Sequence, residues 1–342
     1  MQWYPRQRRK KRRFCFRYTN RTRILRFLLC LFALSLLLFG LGKLVNYAVE
    51  MANSKRATEN LRQVYDSVSG DENTLATDCP FAGEDVLSSA AHDYIPQPEP
   101  SSEPTPIAIP TATPEPIPTA VPQLAVGYYS ENPQLQTDYR IRALQKTSKY
   151  IIGWLNIERL IDEPVVQRNN VFFLDHDVSG KPNSNGTVFL DSIIQLKNRP
   201  YAYILYGHNM KSGAMFGGLR NYENMYFYHN NPFVNFTTMY EDNRYVIFAV
   251  GTISTEENHR NYLDFLSLAS RSIPEREKAI SAIISNSVYT STIDVQPEDQ
   301  LLLLVTCVGN DLERRIVAAR CIRPGEDEGE LKRMIEKSTL RK

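Results

Sequence analysis

The stretch that decides the fold runs from residue 301 to residue 323 and reads LLLLVTCVGNDLERRIVAARCIR. Its first part is a continuous apolar run that ends at Cys307, and its second part, residues 315–323, again carries β-branched and small apolar residues. A short polar loop, residues 309–313, separates the two parts. This pattern predicts two adjacent strands that form a hairpin, and it predicts that the first strand is buried.

The same pattern recurs throughout residues 139–342. Six further short runs rich in β-branched and aromatic residues are separated by Asn, Gly and Asp, so eight strands are predicted. Two helical stretches, 262–269 and 274–287, stand between the sixth and seventh strands, with Ser272 in the N-cap position of the second. The count and spacing predict a mainly β domain, a barrel or sandwich rather than a doubly wound sheet. The predicted strands are residues 150–157, 164–167, 186–190, 201–206, 233–238, 244–252, 301–307 and 315–323.

The charge of the chain is divided between its two ends. Residues 1–26 hold eleven Lys and Arg and no acidic residue, which leaves 29 basic against 38 acidic side chains, a net −9, in the remainder. A nucleic-acid-binding domain carries its Lys and Arg side chains on one face of its fold. Here the basic side chains are concentrated in the N-terminal tail, which argues against a nucleic-acid partner. The basic tail is interpreted as a topology determinant that contacts anionic membrane lipid, with an RNA-binding arm as the weaker alternative.

An apolar segment follows the basic tail. Residues 27–42 contain no charged side chain, and the apolar character continues past Lys43 to Ala48. With Lys43 reaching toward the headgroups, residues 27–48 match the roughly 20 residues that span a bilayer. A single-pass cell-membrane anchor is predicted, with the N-terminus cytoplasmic and the folded domain extracellular. A cleaved signal peptide is the alternative.

Residues 49–138 are predicted to be an extracellular stalk. Ten of the chain's 20 prolines fall between Pro96 and Pro122, a run that excludes helix and central strand. Such a composition favours extended polyproline II, which would hold the folded region, residues 139–342, away from the membrane.

The positions of the cysteines single out one thiol. Of the five cysteines, Cys79, Cys307 and Cys321 fall on the predicted outer side, so at least one is unpaired within the chain. In a hairpin, Cys307 and Cys321 would be roughly 20 Å apart at about 3.4 Å per residue, too far for a disulfide. Cys321 is interpreted as a small buried hydrophobe. Cys307 stands at the carboxyl end of a buried strand, where a rigid scaffold can present a nucleophile.

Two other segments supply chemical partners for this thiol. His208 also follows an apolar strand, directly after Gly207, and Arg314 and Arg315 open the strand that returns beside Cys307. A thiolate attacks a carbonyl, an imidazole transfers the proton, and a guanidinium hydrogen-bonds the developing oxyanion. Each residue alone would more often be structural, but the three types make chemical sense as a set.

With these residues in place, residues 139–325 resemble the class B sortases, membrane-anchored cysteine transpeptidases of Gram-positive bacteria. The helical insertion at 259–288 resembles the one that distinguishes class B from class A, and the lack of a second hydrophobic span after residue 325 argues against class C. The matching blocks are IGWLNI at 152–157, PVVQ at 164–167, FFLDHD at 172–177, NGTVFLD at 185–191, LYGHNM at 205–210, MFGGL at 215–219, VTC at 305–307 and RIV at 315–317.

The resemblance implies an eight-stranded sortase-type barrel in which His208, Cys307 and Arg315 are catalytic, with Arg315 preferred to Arg314. Cys307 would attack a Thr carbonyl in the carboxyl-terminal sorting signal of a secreted protein. His208 would protonate the leaving amine, and Arg315 would stabilise the oxyanion. A peptidoglycan precursor or pilin amine would then resolve the thioester. The family's substrate groove maps onto Asn170, Leu174, Tyr206 and Thr306.

Some features stay open. Leu303 and Val305 stand where the family usually has Thr and Ser, so the peptide recognised is expected to differ. No metal or organic cofactor is expected, because His176, His229 and His259 are isolated from other ligand residues. The alternatives are a cell-wall cysteine peptidase or amidase that uses water as the acceptor, and a non-catalytic stalked surface-binding module.

Overall fold

A computed structural model of the chain describes residues 20–68, 137–308 and 310–341. The chain divides into two compact units, one ending at Ala52 and the other beginning at Asn53. The first unit holds the N-terminal part of helix α1 (Asn20–Val68), which is long and apolar enough to cross a membrane. This helix includes the predicted anchor, residues 27–48, and indicates membrane anchoring. Most of the predicted basic tail, residues 1–26, lies outside the described residues.

The second unit is built around a closed barrel of eight strands, which confirms the predicted mainly β class and strand count. The barrel strands are β1 (Ile151–Ile157), β2 (Ile161–Val166), β3 (Phe189–Leu190), β4 (Ala202–Tyr206), β5 (Phe233–Thr238), β6 (Asp242–Ser254), β8 (Leu301–Val308) and β9 (Asn310–Cys321). They follow the order β1, β2, β3, β4, β8, β9, β6, β5, and β5 closes the barrel by pairing with β1. Two short strands, β7 (Tyr289–Thr290) and β10 (Thr339–Leu340), form a separate sheet.

Strands β4 and β8 are parallel neighbours, and their residues are buried on both faces. Burial on both sides explains why AYILY and LLLLVT are continuous apolar runs rather than alternating ones. The interior face carries Tyr203, whose ring meets that of Phe236 on β5 edge-on at 5.2 Å between centroids. Because side chains alternate along a strand, Tyr206 points to the outer face.

The helical insertion lies between the sixth and seventh barrel strands, as predicted. It consists of a 3₁₀ turn, Phe265–Ala269, and helix α4 (Ile273–Ser285). Ser272 occupies the N-cap position of α4 without a side-chain capping bond. The Phe265 ring lies 6.1 Å from the ring of Tyr206, so the insertion borders the outer face of β4. The remaining helices of this unit are α2 (Tyr139–Gln145), α3 (Met225–Asn230) and α5 (Glu328–Glu336).

Several predicted strand boundaries are wrong, and the start of β9 differs most. The sequence placed a loop at residues 309–313 and began the next strand at Arg315, whereas β9 begins at Asn310. Its polar first residues are accommodated because they pair with β6, where Glu313 lies opposite Ser254. The β8–β9 ladder extends as far as the pair Val308 and Asn310, with an irregularity of register after Cys307.

Residues 53–68, the C-terminal part of α1, pack against the barrel. Tyr65 stacks on Trp154 of β1 at 5.2 Å between ring centroids, and its hydroxyl is 3.0 Å from Thr237 Oγ1 on β5. These residues fall within the predicted stalk, 49–138, yet they belong to the same compact unit as the barrel. Residues 69–136, with the proline run, lie outside the described residues, so the stalk stays a prediction, as does the domain boundary at residue 139.

Candidate active site

Two strand ends bring His208 and Cys307 to the same place. In the parallel pair β4 and β8, Tyr206 lies opposite Val305, and the Gly207 amide donates to the Val305 carbonyl at 3.3 Å. Cys307, two residues beyond Val305 on β8, therefore points to the same outer face as Tyr206, and His208, two residues past Tyr206, lies at the same end of this pair. This surface, defined by Tyr206, His208 and Cys307, is called the groove face below.

Cys307 is an exposed, free thiol at the end of β8. The side-chain amide of Asn209 donates to its carbonyl at 2.8 Å, which ties the segment after His208 to this strand end. Cys321 is also free, in agreement with the predicted absence of a disulfide between the two, and burial raises the pKa of its thiol to about 11. A half-buried thiol with a raised pKa is poorly reactive, whereas an exposed thiol is accessible to a substrate. Cys307 is therefore the better candidate nucleophile.

The imidazole of His208 is held by a backbone carbonyl. Its Nε2 lies 2.5 Å from the Leu174 oxygen, and because a carbonyl oxygen only accepts, Nε2 carries the proton. Gly186, at a φ of +62°, packs against the ring so closely that a Cβ there would lie 3.0 Å from His208 Cδ2. Nδ1 is then the nitrogen left to exchange a proton with the thiol or a leaving amine.

Tyr206 and Asn170 share a buried carboxylate. The Tyr206 hydroxyl donates to Asp191 Oδ2 at 2.7 Å, and Asn170 Nδ2 donates to the same oxygen at 3.1 Å. Asp191 is 1% exposed, and burial together with this carboxylate raises the pKa of the Tyr206 hydroxyl. The Asn170 oxygen in turn accepts from the backbone amide of Ser192 at 2.8 Å. Because the hydroxyl proton is directed to Asp191, the Tyr206 oxygen keeps its lone pairs as acceptors.

The other two predicted groove residues are placed differently from each other. Leu174 is 39% exposed and adjoins His208 through its carbonyl. Thr306 is 2% exposed, and within the described part of the chain its buried hydroxyl has no hydrogen-bond partner. By strand alternation Thr306 points away from the groove face. The structure thus groups Leu174 with the catalytic candidates but not Thr306, whose predicted substrate role stays a prediction.

The two arginines at the start of β9 point to opposite faces. Arg314 lies opposite Cys307 in the β8–β9 ladder, and Arg315 lies opposite Thr306. The side chain of Arg315 is buried, and its Nη2 forms an ion pair with Glu223 Oε1. The structure therefore does not place Arg315 on the groove face, and its catalytic role stays a prediction from the resemblance.

Two polar residues of this region, Asp191 and Glu223, are not assigned a role from the sequence. The sequence could have drawn attention to Asp191, because an acidic residue directly after the buried strand β3 needs hydrogen-bond partners. Nothing in the sequence around Glu223 indicates its role, because its partner Arg315 is 92 positions away. In the part of the chain that the structure describes, no group of three or more His, Cys, Asp or Glu could hold a metal ion.

The chain is similar to two curated proteins named Sortase B. It shares 30% identity with the protein from Listeria monocytogenes over 191 residues, covering 54% of this chain and 73% of that protein. It shares 25% identity with the protein from Staphylococcus aureus over 197 residues, covering 54% of this chain and 75% of that protein. No family model matches the chain.

Solved structures of sortase B resemble the chain as well. The Bacillus anthracis sortase B in complex with AAEK2 has a TM-score of 0.49 and 26% identity, covering 58% of this chain and 89% of the solved one. The Listeria monocytogenes sortase B has a TM-score of 0.46 and 28% identity, covering 53% of this chain and 99% of the solved one.

Proposed function

The chain belongs to the class B sortases and is a sortase-type cysteine transpeptidase, and from this premise we propose its reaction. It cleaves the carboxyl-terminal sorting signal of secreted proteins through a thioester on Cys307. It then transfers the acyl group to an amine of the cell wall, from a peptidoglycan precursor or a pilin. The observation that carries the proposal is the exposed thiol of Cys307 on the groove face beside His208.

The first half-reaction forms one bond and breaks one. The Cys307 thiolate attacks the carbonyl carbon of a Thr in the sorting signal, and the carbonyl electron pair moves onto oxygen. The C–N bond then breaks as the pair returns, and protonated His208 gives its Nδ1 proton to the leaving amine. The thioester between the substrate and Sγ remains.

The second half-reaction runs in reverse with a new amine. The amine attacks the thioester carbon, His208 Nδ1 takes up the proton, and the C–S bond breaks to restore the thiolate. The exposure of Cys307 supports this step, because both the peptide and the amine must reach Sγ in turn.

The test is capture of the thioester on the full chain in detergent micelles. NPxTx-like and LPxTG-like peptides are added, and intact mass spectrometry is expected to show the acyl adduct. Cys307→Ala should abolish the adduct, whereas Cys321→Ala should retain it, because the Cys321 thiol is half-buried with a raised pKa. Absence of an adduct with every peptide, or an adduct that survives Cys307→Ala, would rule the proposal out.

Addition of an amine distinguishes transfer of the acyl group to that amine from hydrolysis of the thioester by water. If the chain is a transpeptidase, triglycine should accelerate peptide turnover and appear in a conjugate. Turnover without a conjugate would instead identify the cell-wall peptidase or amidase that uses water. A stalked binding module without catalysis would bind peptide equally well as Cys307→Ala and never form the adduct.

The proposed location follows from the first unit. Helix α1 is apolar enough to anchor the chain in a membrane, and the basic residues before it favour a cytoplasmic N-terminus. The catalytic domain is then extracellular, where its substrates are exported. Protease added to intact cells should degrade the catalytic domain and spare the N-terminal tail; protection of the catalytic domain would reverse the orientation.

A further inference from the structure

The carbonyl that holds His208 belongs to a loop, residues 172–187, which is called the histidine loop below. The Leu174 oxygen of this loop lies 2.5 Å from His208 Nε2. Gly186, near the other end of the loop, packs between the two, because a Cβ there would lie 2.8 Å from the Leu174 oxygen and 3.0 Å from His208 Cδ2. The orientation of the imidazole therefore depends on the shape of the histidine loop.

The histidine loop is built from a 3₁₀ turn, Phe172–Leu174, and from backbone hydrogen bonds that close it. The amide of Thr187 donates to the carbonyl of Phe173 at 3.0 Å, and the amide of Asn183 donates to the carbonyl of Asp175 at 2.8 Å. A segment with so little regular structure opens locally at low cost unless its side chains are fixed by packing. The supports that the rest of the fold gives to this loop therefore decide how firmly it holds the imidazole.

The first support is apolar and comes from helix α1. The loop side chains Phe173 and Val178 are buried in the same hydrophobic cluster as Leu61 and Tyr65 of α1. Phe173 directly precedes Leu174 in the chain, so the backbone that carries the Leu174 carbonyl is anchored in this cluster. Burial of such side chains is lost if either partner leaves the cluster. Residues of α1 thus complete the core on which the histidine loop rests.

The second support is a hydrogen bond to the same helix. Asn183 Nδ2 donates to the hydroxyl oxygen of Ser54 at 2.7 Å, while Asn183 Oδ1 accepts from the backbone amide of Asn185 at 2.9 Å. Asn185 Nδ2 lies 3.5 Å from the same Ser54 oxygen. Both asparagines are buried, and a buried amide donor that loses its acceptor shifts a local equilibrium by about tenfold or more. The closed arrangement of the loop therefore depends on Ser54.

We propose that residues 53–68 of α1 position the imidazole of His208, and that Ser54 is the positioning residue that links them to the histidine loop. The inference rests on the proposed thioester reaction, in which Nδ1 of this imidazole exchanges a proton with the leaving amine. Ser54 acts at a distance, through Asn183 and the loop, on the carbonyl of Leu174. When that carbonyl moves, the imidazole can turn, and a misplacement of about 1 Å can slow a reaction about 100-fold.

Four variants separate this role from a general weakening of the helix contact. Ser54→Ala removes the acceptor and leaves the sequence of the histidine loop intact, whereas Ser54→Thr keeps a hydroxyl. Thr58→Ala is the matched control, because Thr58 lies one turn further along α1 and its hydroxyl bonds to Glu163 on β2 instead of to the loop. Ser67→Ala controls for loss of a serine hydroxyl from an exposed position of the same helix.

The first measurement is hydrogen–deuterium exchange of residues 172–187 by mass spectrometry, on the full chain in micelles. Ser54→Ala is expected to exchange about tenfold faster in the histidine loop, because the buried Asn183 amide loses its acceptor. Ser54→Thr, Thr58→Ala and Ser67→Ala are expected to exchange like the wild type in this segment.

The second measurement is the single-turnover rate of thioester formation at saturating peptide, together with the dissociation constant of the peptide. Ser54→Ala is expected to slow acylation about tenfold with an unchanged dissociation constant, and Ser54→Thr should restore most of the rate. A merely structural hydrogen bond would lower the stability of the fold without changing the rate in the folded enzyme. The rate at saturation therefore reports on positioning.

Three results would overturn the proposal. Unchanged exchange of the histidine loop in Ser54→Ala would mean that Ser54 does not hold the loop. Faster exchange with a wild-type acylation rate would mean that the contact does not position His208. Equal slowing in Thr58→Ala would remove the role from Ser54. Failure of the wild type to form any thioester would refute the proposed function, whereas the exchange comparison would still decide whether Ser54 holds the loop, so the two failures are distinguishable.

Discussion

The contact between residues 53–68 and the barrel is expected to lose stability as the pH rises, and replacing Glu163 by Gln is expected to remove this loss. Glu163 on β2 accepts a hydrogen bond from the Thr58 hydroxyl of α1 at 3.0 Å. Burial raises the pKa of the Glu163 carboxyl to about 7; the bond from Thr58 opposes this effect, and the charge of Asp162 adds to it. The carboxylate is therefore costly to bury once it ionises.

The sign follows from the two states of the chain. An unfolded glutamate ionises near its ordinary pKa of 4.5, so the folded state binds more protons between about pH 4.5 and 7. The stabilising contribution is complete below pH 4.5 and is lost as the pH rises through 7. At about 1.4 kcal/mol per pKa unit the loss is at most about 3.5 kcal/mol, and partial exposure of Glu163 reduces it to about 1–2 kcal/mol.

The fluorescence of Trp154 on β1 reports on this contact, because Trp154 is 2% exposed and stacks on Tyr65 of α1. Urea titrations of the full chain in micelles, followed by tryptophan fluorescence, are compared at pH 5 and pH 8. The wild type should lose about 1–2 kcal/mol more than Glu163→Gln over this interval. Glu158→Gln, whose side chain is 79% exposed, should behave like the wild type. Equal pH dependence in the wild type and Glu163→Gln would refute the reasoning.

Gly207→Ala should lower the free energy of unfolding by about 1–3 kcal/mol in the same titration, because its Cβ would lie 2.8 Å from Cγ of Phe216; an unchanged midpoint would mean that the ring moves freely. Replacing residues 69–136 by a flexible linker about a fifth as long should stabilise the packing of residues 53–68 by about 1.4 kcal/mol, since closing a shorter loop costs less entropy. Both flanks of that segment belong to one compact unit, and Arg140 lies 5.0 Å from the Tyr65 ring. Loss of the Trp154 signal at lower urea would contradict this and favour a structural role for the proline run.

Most of the barrel could be predicted because its strands are apolar for a simple physical reason. Runs such as residues 301–306 are buried by the interior on one side and by helices or loops on the other, so they stand out from polar turns. The second strand was predicted to begin at Pro164, whereas β2 begins at Ile161. The missed residues are polar because they meet α1, where Asp162 pairs with Arg62 and Glu163 accepts from Thr58. Contacts between segments so distant in the chain have no local signal.

The candidate site was predictable in its residue types and less so in its arrangement. Cys307 and His208 follow buried strands, and the end of a buried strand is a position that a sequence can reveal. The environment of Tyr206 depends on Asp191, and the environment of Arg315 depends on Glu223, which is remote in sequence. The residue types at the ends of buried strands can be found in the sequence, but the partner that orients each side chain is seen only in the fold.

The strand positions of Arg314 and Arg315 could be determined only from the structure, which pairs Arg314 with Cys307 and Arg315 with Thr306. A shift of one residue in register turns every side chain of a strand to the opposite face. In a strand with one exposed face, alternation of polar and apolar residues would reveal the register. In β9 the residues Ile316–Ala319 are buried on both faces, so that alternation is absent. The burial that makes the strand easy to predict thus hides which arginine lies opposite Cys307 in the sheet, and the pairing of β9 with β8 and β6 supplies this register.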